Sequence, residues 1–119
     1  MSQMATYLCK IRNPNGQILE QSIDALVATI NCQVNERTTH HTTIKLPDME
    51  YLVQIGIGPG GIYVTSSKYC DREKLKNLTQ QVEQLYLVMA HKAALEAMGY
   101  QVNLNQTEAG DIIVQGVMG

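Results

Sequence analysis

Tryptophan and phenylalanine are both absent from this sequence, so neither of these large apolar aromatic residues can fill its core. Six tyrosines and six methionines must supply the bulky part of that core, together with isoleucine, leucine and valine. Disorder is excluded, because 45% of the residues are hydrophobic and only 17% are charged. We therefore expect a single domain over residues 1–119, a length that can bury a core without disulfides or metals.

The chain also lacks strong charge and long apolar runs. Its net charge is −2 and it has no lysine–arginine cluster, which argues against nucleic acid or an anionic membrane as a partner. The longest apolar run, 85–90, is too short to span a bilayer. The first residues contain no apolar signal core, and Cys9, Cys32 and Cys70 are widely spaced, so we expect a cytoplasmic protein with free, mostly buried thiols.

Turns and alternating residues divide the first half of the chain. Residues 4–12 alternate as a strand does, and the Asn-Pro-Asn-Gly at 13–16 predicts a turn with a returning strand over 17–21. Apolar residues then recur at helical spacing, which predicts a short helix over 22–34, with a continued strand as the alternative. A polar connection over 35–41 and a short strand over 42–46 follow.

The second half contains the clearest element, a long helix. Asp71 is the expected N-cap and Gly99 the expected residue after the C-cap, with apolar residues at helical spacing between them. This predicts a helix over about 72–98, followed by strands over 100–104 and 111–115. The fold class is α+β, with a single antiparallel sheet of about 6–7 strands and the long helix packed on one face.

A literal G-x-G-x-x-G, formed by Gly56, Gly58 and Gly61, raises the question of a nucleotide site. A dinucleotide-binding loop needs a helix directly after the glycines, whereas strand-forming residues follow here. Pro59 removes a backbone donor, so the pattern favours a hairpin with a type II turn at Pro59-Gly60. The alternative is a small-molecule or nucleotide-binding module that uses Gly58, Gly60, Gly61 and Tyr63.

Patterns for catalysis or metal binding are weak. His40 and His41 are adjacent, so in an extended segment their side chains point to opposite faces and do not share a metal ion. Cys70 precedes the long helix, whose dipole favours a thiolate, but His91 lies too far along the same helix to act as its base, which leaves only His40 or His41 for that role. We therefore expect no catalytic residue, no metal and no cofactor.

The informative anomaly is the run of six non-polar residues, 85–90, in the second half of the long helix. At about 100° per residue these side chains cover every side of the helix, whereas one small sheet covers a single side. We expect another subunit or a partner protein to cover the rest, through Tyr86, Leu87, Val88 and Ala90. The alternative is that the first helix or the C-terminal segment of the same chain covers them.

The segment LTQQVEQLYLVMAHKAALEAMGYQVNLNQTEAGDIIVQG resembles the end of a small cyanobacterial and plastid family, the hypothetical chloroplast reading frame proteins of unknown function. The matching positions are Leu78, Thr79, Gln80, His91, Gly99, Tyr100 and Gly110. In that family a later helix ends in glycine and an aromatic residue before two strands joined by an acidic turn. Its N-terminal strand runs straight into a helix, whereas this chain departs by inserting Asn-Pro-Asn-Gly at 13–16. The resemblance implies a small accessory protein and transfers no catalytic residue. We expect a non-enzymatic accessory or assembly protein that acts by contact with another protein or, as a homodimer, with itself.

Overall fold

The computed structural model describes residues 4–106 and 112–118, which form seven strands and two helices. In chain order these are β1 (Met4–Cys9), α1 (Gly16–Ile30), β2 (Gln33–Arg37), β3 (His41–Lys45), β4 (Val53–Gly58), β5 (Gly61–Ser67), α2 (Arg72–Ala97), β6 (Tyr100–Gln106) and β7 (Ile112–Met118). The predicted α+β class is confirmed, including a long helix packed on an antiparallel sheet.

The main sheet has five strands in the order β1-β5-β4-β3-β2, and every neighbouring pair is antiparallel. Its edge strands are β1 and β2, so α1 carries the chain from one edge of the sheet to the other. The register places Cys9 beside Ile62 on the face that the helices cover. Thr6 and Tyr63 lie on the opposite face, which neither helix covers.

The hydrophobic core lies between the helix-covered face of the sheet and the two helices. The strands contribute β-branched side chains, which suit a pleated surface, and the helices contribute mainly leucine. The side chains with almost no exposed surface include Ile44, Val53, Ile55, Ile62 and Val64 from the sheet, Ile23 and Leu26 from α1, and Leu75, Leu78 and Val82 from α2.

The Asn-Pro-Asn-Gly segment begins a helix, so the predicted turn with a returning strand over 17–21 is wrong. Asn15 is the N-cap of α1, and its side-chain oxygen accepts hydrogen bonds from the backbone N–H groups of Gln17 (2.9 Å) and Ile18 (3.1 Å). Asparagine suits both turns and N-caps, and burial of Leu19 one turn later stabilises the helix. The helix predicted over 22–34 exists, but it begins at Gly16 and ends at Ile30 before a left-handed Asn31.

The long helix α2 has 26 residues and nearly the predicted bounds. The Asp71 side chain accepts from the backbone N–H groups of Glu73 (3.1 Å) and Lys74 (3.2 Å), as expected of an N-cap. Gly99 adopts the positive φ expected after the helix end, 91°. Neither helix within 4–106 and 112–118 combines the length and the apolar character needed to cross a bilayer.

The last two strands form a separate antiparallel hairpin rather than joining the main sheet. Their register runs from Tyr100–Met118 to Gln106–Ile112. A helix of 26 residues is about 39 Å long, whereas strands of five to seven residues span about 20 Å, so α2 extends past the sheet. The predicted strands are thus divided between a five-stranded sheet and a hairpin that contacts α2. The acidic turn with Gly110 lies outside the described residues.

Candidate functional site: a contact surface on the second helix

The glycine-rich segment is the turn of the β4–β5 hairpin. Gly58 pairs with Gly61, which leaves Pro59 and Gly60 as a two-residue connection. The predicted type II turn is wrong, because positive φ falls on Gly61 (111°) and not on Gly60. A strand follows the glycines, so no helix N-terminus is available there to bind a phosphate group.

Tyr63 explains why glycine occupies position 56. The two residues are paired across β4 and β5, and a Cβ atom at Gly56 would lie 2.6 Å from the Tyr63 hydroxyl and 2.7 Å from the backbone oxygen of His40. The Tyr63 hydroxyl also accepts a hydrogen bond from Gln54 Nε2 at 3.0 Å. The tyrosine ring therefore packs over the glycine on the face of the sheet that no helix covers, an arrangement that stabilises glycine in strands.

Of the two adjacent histidines, His40 lies in the turn between β2 and β3, and His41 is the first residue of β3. The Thr38 hydroxyl accepts hydrogen bonds from the backbone N–H groups of His40 (3.2 Å) and His41 (3.1 Å), which accounts for both residues structurally. His41 Nε2 lies 3.7 Å from the exposed Glu36 carboxylate. Within residues 4–106 and 112–118, no three histidine, cysteine or acidic residues are placed to hold a metal ion.

All three cysteines are free and buried. Burial, reinforced by the charge of Glu83, raises the pKa of Cys9 to about 11, and the Cys9 thiol donates to the backbone oxygen of Thr79 at 3.5 Å. Burial also raises the pKa of Cys32. Cys70 precedes the N-cap Asp71, as predicted, but its side chain belongs to the hydrophobic core. Thiols that are neutral or enclosed are poor nucleophiles.

The six non-polar residues of α2 fall into three environments. Leu85 and Tyr86 are buried in the core, and the Tyr86 hydroxyl accepts a hydrogen bond from the backbone N–H of Asn15 at 2.8 Å. Val88, Met89 and Ala90 are half-buried. Leu87 points outward with 57% of its surface exposed. Tyr86 is therefore shielded by its own chain, and the exposed part of the predicted surface centres on Leu87.

The C-terminal hairpin covers part of the same helix. Ile112 of β7 packs against the core near Val88, with a cavity of about 250 Å³ on one side, towards α1. On the other side lies a groove of about 370 Å³, which we call the α2–β7 groove; its lining residues are Gln84, Leu87, Val88, His91, Ile112 and Val114. Of the four predicted interface residues, only Leu87 and Val88 line this groove.

Sequence reasoning missed Ile112 and Val114, which the chain brings to α2 from a distant strand. Their signal was the alternation in 111–115, which predicts a strand but not the element that it contacts. The outward direction of Leu87 also had a signal. Gln84, His91 and Gln80 lie three, four and seven positions from Leu87 on the same side of the helix, and all three are polar.

The fold and this groove define an α+β chain with a largely apolar groove between its long helix and its C-terminal hairpin. Comparison with protein-family models, curated proteins and solved structures found no match to this chain.

Proposed function

We propose that this chain is a small, non-enzymatic accessory or assembly protein of the cytoplasm that acts through protein contact. The α2–β7 groove is the contact surface, and its occupant is another protein or a second copy of the chain. The observation that carries the proposal is the exposure of Leu87 within the non-polar run 85–90 of α2. A large apolar side chain beside an apolar groove is typical of a protein interface.

Several exposed apolar residues lie on α2 and the hairpin beside it. Leu87, Leu104, Ile113 and Val117 are all exposed, and all belong to α2 or to the hairpin beside it. A two-stranded hairpin is only marginally stable alone, so it gains from any surface that covers it. Leu104 pairs with Val114 and so shares the face of the hairpin that lines the groove, whereas Ile113 and Val117 lie on the opposite face. Contact with another protein at the groove would bury Leu87 and Leu104.

The chemistry of the groove indicates what kind of partner fits. Four of its six lining residues are apolar, and the other two are Gln84 and the exposed His91. No lysine, arginine or carboxylate lines it. A partner surface built from aliphatic or aromatic residues, with an amide or hydroxyl group to meet Gln84, would be complementary.

The resemblance to the hypothetical chloroplast reading frame proteins is part of this proposal. Two structural features support it. The element after β1 is a helix, as in that family, although the connection 10–15 with its Asn-Pro-Asn separates the two. Gly99 and Tyr100 end the long helix and start a two-stranded hairpin. Both features also agree with a small accessory protein.

Two point variants on the outer side of α2 test the proposal. Leu87→Glu places a charge in the groove, whereas Gln80→Glu places the same charge two turns earlier on the same side. The immobilised wild-type chain and Gln80→Glu should retain a shared cellular protein that Leu87→Glu loses. Equal retention by all three forms would contradict the proposal. Equal melting temperatures would show that the fold is unchanged.

A second candidate function rests on a cavity of about 490 Å³ between α1 and the β3–β4 side of the sheet. Its lining includes Glu20, His40 and Gly56, so it offers a carboxylate and an imidazole to a small ligand. Gly58, Gly60, Gly61 and Tyr63 do not line this cavity. Thermal shifts against a nucleotide panel separate the two functions, because a ligand stabilises only the state that binds it.

A further inference from the structure

The two edges of the main sheet differ in how they are protected. On β2 every residue is exposed, and the register with β3 shifts between Val34 and Glu36. The strand ends in the charged pair Glu36-Arg37, and Arg37 donates to Asp24 of α1 at 2.7 Å. A bulge and charged side chains are devices by which natural proteins prevent an edge strand from pairing with another chain.

The β1 edge has none of these devices. Its pairing with β5 is unbroken over six residues, from Met4–Ser67 to Cys9–Ile62. No charged residue and no proline occurs within β1, and no described strand pairs with its outer side. Such an edge is a template for the addition of another strand.

The backbone of β1 shows which residues would form that pairing. The Ala5 carbonyl accepts a hydrogen bond from the Thr65 hydroxyl at 2.9 Å, so it points towards β5. Successive residues of an antiparallel strand direct their backbone groups to opposite sides. The N–H and C=O groups of Met4, Thr6 and Leu8 therefore point away from the sheet.

We propose that β1 pairs antiparallel with β1 of a second copy of this chain, about a two-fold axis that passes beside Thr6. The two five-stranded sheets then form one continuous sheet of ten strands. This inference rests on the proposed function and deepens it, because it assigns the second copy to the sheet edge. The α2–β7 groove of each protomer remains available to a different protein.

The side chains of β1 are self-complementary in this register. Met4 and Leu8 are the large exposed side chains of the strand, with 53% and 56% of their surface exposed, and each lies two residues from Thr6. Pairing centred on Thr6 places Met4 opposite Leu8 of the second copy, and Leu8 opposite Met4. A two-fold interface requires such a match of a surface with itself. Both apolar contacts lie on the sheet face that no helix covers.

The protected β2 edge limits the assembly to two chains. Strand addition at both edges of a sheet would produce an open fibre, whereas addition at one edge produces a closed pair. Because β1 and β2 are opposite edges of the same sheet, the dimer presents a bulged and charged strand at each end. The assembly expected in solution is therefore a dimer and not a larger polymer.

Substitutions at Thr6 test the pairing without breaking the fold. In Thr6→Pro the lost N–H is the outward one, so the β5 ladder keeps its hydrogen bonds while the dimer loses donors at its centre. Thr6→Val is the matched control, since it removes the same hydroxyl contact with Thr65 and keeps the N–H. By light scattering we expect dimers for wild type and Thr6→Val and a monomer for Thr6→Pro, with unchanged circular dichroism.

A charge at Leu8 gives a second variant that keeps the backbone intact. Leu8→Lys should shift the protein towards monomer by at least tenfold in dissociation constant, because the ammonium group would oppose Met4 of the second copy. Leu52→Lys places the same charge at an exposed leucine outside the β1 edge and should remain dimeric. Dimers that persist in both Thr6→Pro and Leu8→Lys would overturn the inference, as would a monomeric wild type.

Two further outcomes separate this inference from the proposed function. Leu87→Glu should remain a dimer; if it is monomeric while Thr6→Pro is dimeric, the groove holds the second copy and the β1 inference fails alone. Thr6→Cys should form a disulfide-linked dimer on mild oxidation, because residues paired across the axis have Cα atoms about 5.5 Å apart. Leu8→Cys should not cross-link, because it faces Met4; efficient cross-linking there would overturn the register.

Discussion

The five-stranded sheet and the β6–β7 hairpin are both antiparallel ladders, but only the sheet has a buried face. Ile55 at the centre of β4 is fully buried, whereas Ile113 in β7 has 43% of its surface exposed. Among residues 100–105 and 112–117, none is fully buried. The sheet is stabilised by a core that it shares with two helices, while the hairpin packs against one side of α2.

This difference shows how one helix can serve two purposes. The first half of α2 completes the core through Leu75, Leu78 and Val82. Its second half extends past the sheet and holds a hairpin that it cannot cover fully. Apolar surface buried within the chain contributes to folding, and the apolar surface that remains exposed is available for binding.

The largest expected effect comes from an isoleucine-to-alanine pair. Ile55→Ala should lower the free energy of unfolding by about 2–5 kcal/mol, because it leaves a cavity in the core. Ile113→Ala removes the same atoms from an exposed position and should cost less than about 1 kcal/mol. Denaturant unfolding of both variants measures the contrast. Equal losses would show that the hairpin is as well packed as the sheet.

A smaller effect is expected from glycine-to-alanine changes. Gly56→Ala should cost about 1–3 kcal/mol, because the new methyl group would lie 2.7 Å from the His40 backbone oxygen, which cannot move alone. Gly116→Ala in the hairpin should cost clearly less, since its nearest neighbours are the Tyr100 and Leu95 side chains at 3.3–3.4 Å. Thermal melts compare the two. If Gly56→Ala melts at the wild-type temperature, the ring of Tyr63 is easily displaced.

The stability of the protein at alkaline pH reports on the sheet region and not on the hairpin, because every cysteine lies outside the hairpin. The pKa of Cys9 is raised from 9.0 to about 11, so between these values the folded state binds more protons than the unfolded state. Stability should therefore be independent of this thiol below about pH 9 and fall by about 1–2 kcal/mol as pH rises towards 11. Urea unfolding at several pH values measures the slope. Cys9→Ala should make the slope shallower and leave the contribution of Cys32, whose pKa burial also raises; an unchanged slope would assign the loss to other groups.

The smallest expected effect concerns Tyr86, the buried residue of α2 that precedes the groove residue Leu87. Tyr86→Phe removes the acceptor for the Asn15 N–H and should cost about 1 kcal/mol. Tyr69→Phe changes a mostly exposed side chain and should be neutral. Denaturant unfolding compares them. A neutral Tyr86→Phe would show that water replaces the hydroxyl and that this bond does not hold α1 to α2.

The sequence predicts best where local signals agree. Asp71, Gly99 and a long apolar stripe all specify α2, and alternating residues on either side of Pro59-Gly60 specify the β4–β5 hairpin. At residues 13–16 the local signal was ambiguous. Asn15 is equally suited to a turn and to an N-cap, and the choice is made by the burial of Leu19 and Ile23 against elements that come later in the chain.

The candidate site was harder to predict from the sequence, because its position depends on long-range packing. The apolar run predicted an uncovered helix surface but did not distinguish Tyr86, which faces the core, from its exposed neighbour Leu87. The rotation of α2 about its axis is fixed by Leu78 and Val82 against the sheet. The position of the hairpin beside α2 follows from a difference in length between helix and strands, which becomes visible only when the strand order is known.

The pairing of β1 with β5 has a consequence for synthesis. During translation Met4 emerges more than sixty residues before its ladder partner Ser67. Until then the first strand has no native neighbour, although α1 can already form its local hydrogen bonds. Because contacts so distant in sequence close slowly, the nascent chain carries an unsatisfied apolar segment until β5 has been made, the period in which a chaperone would bind it.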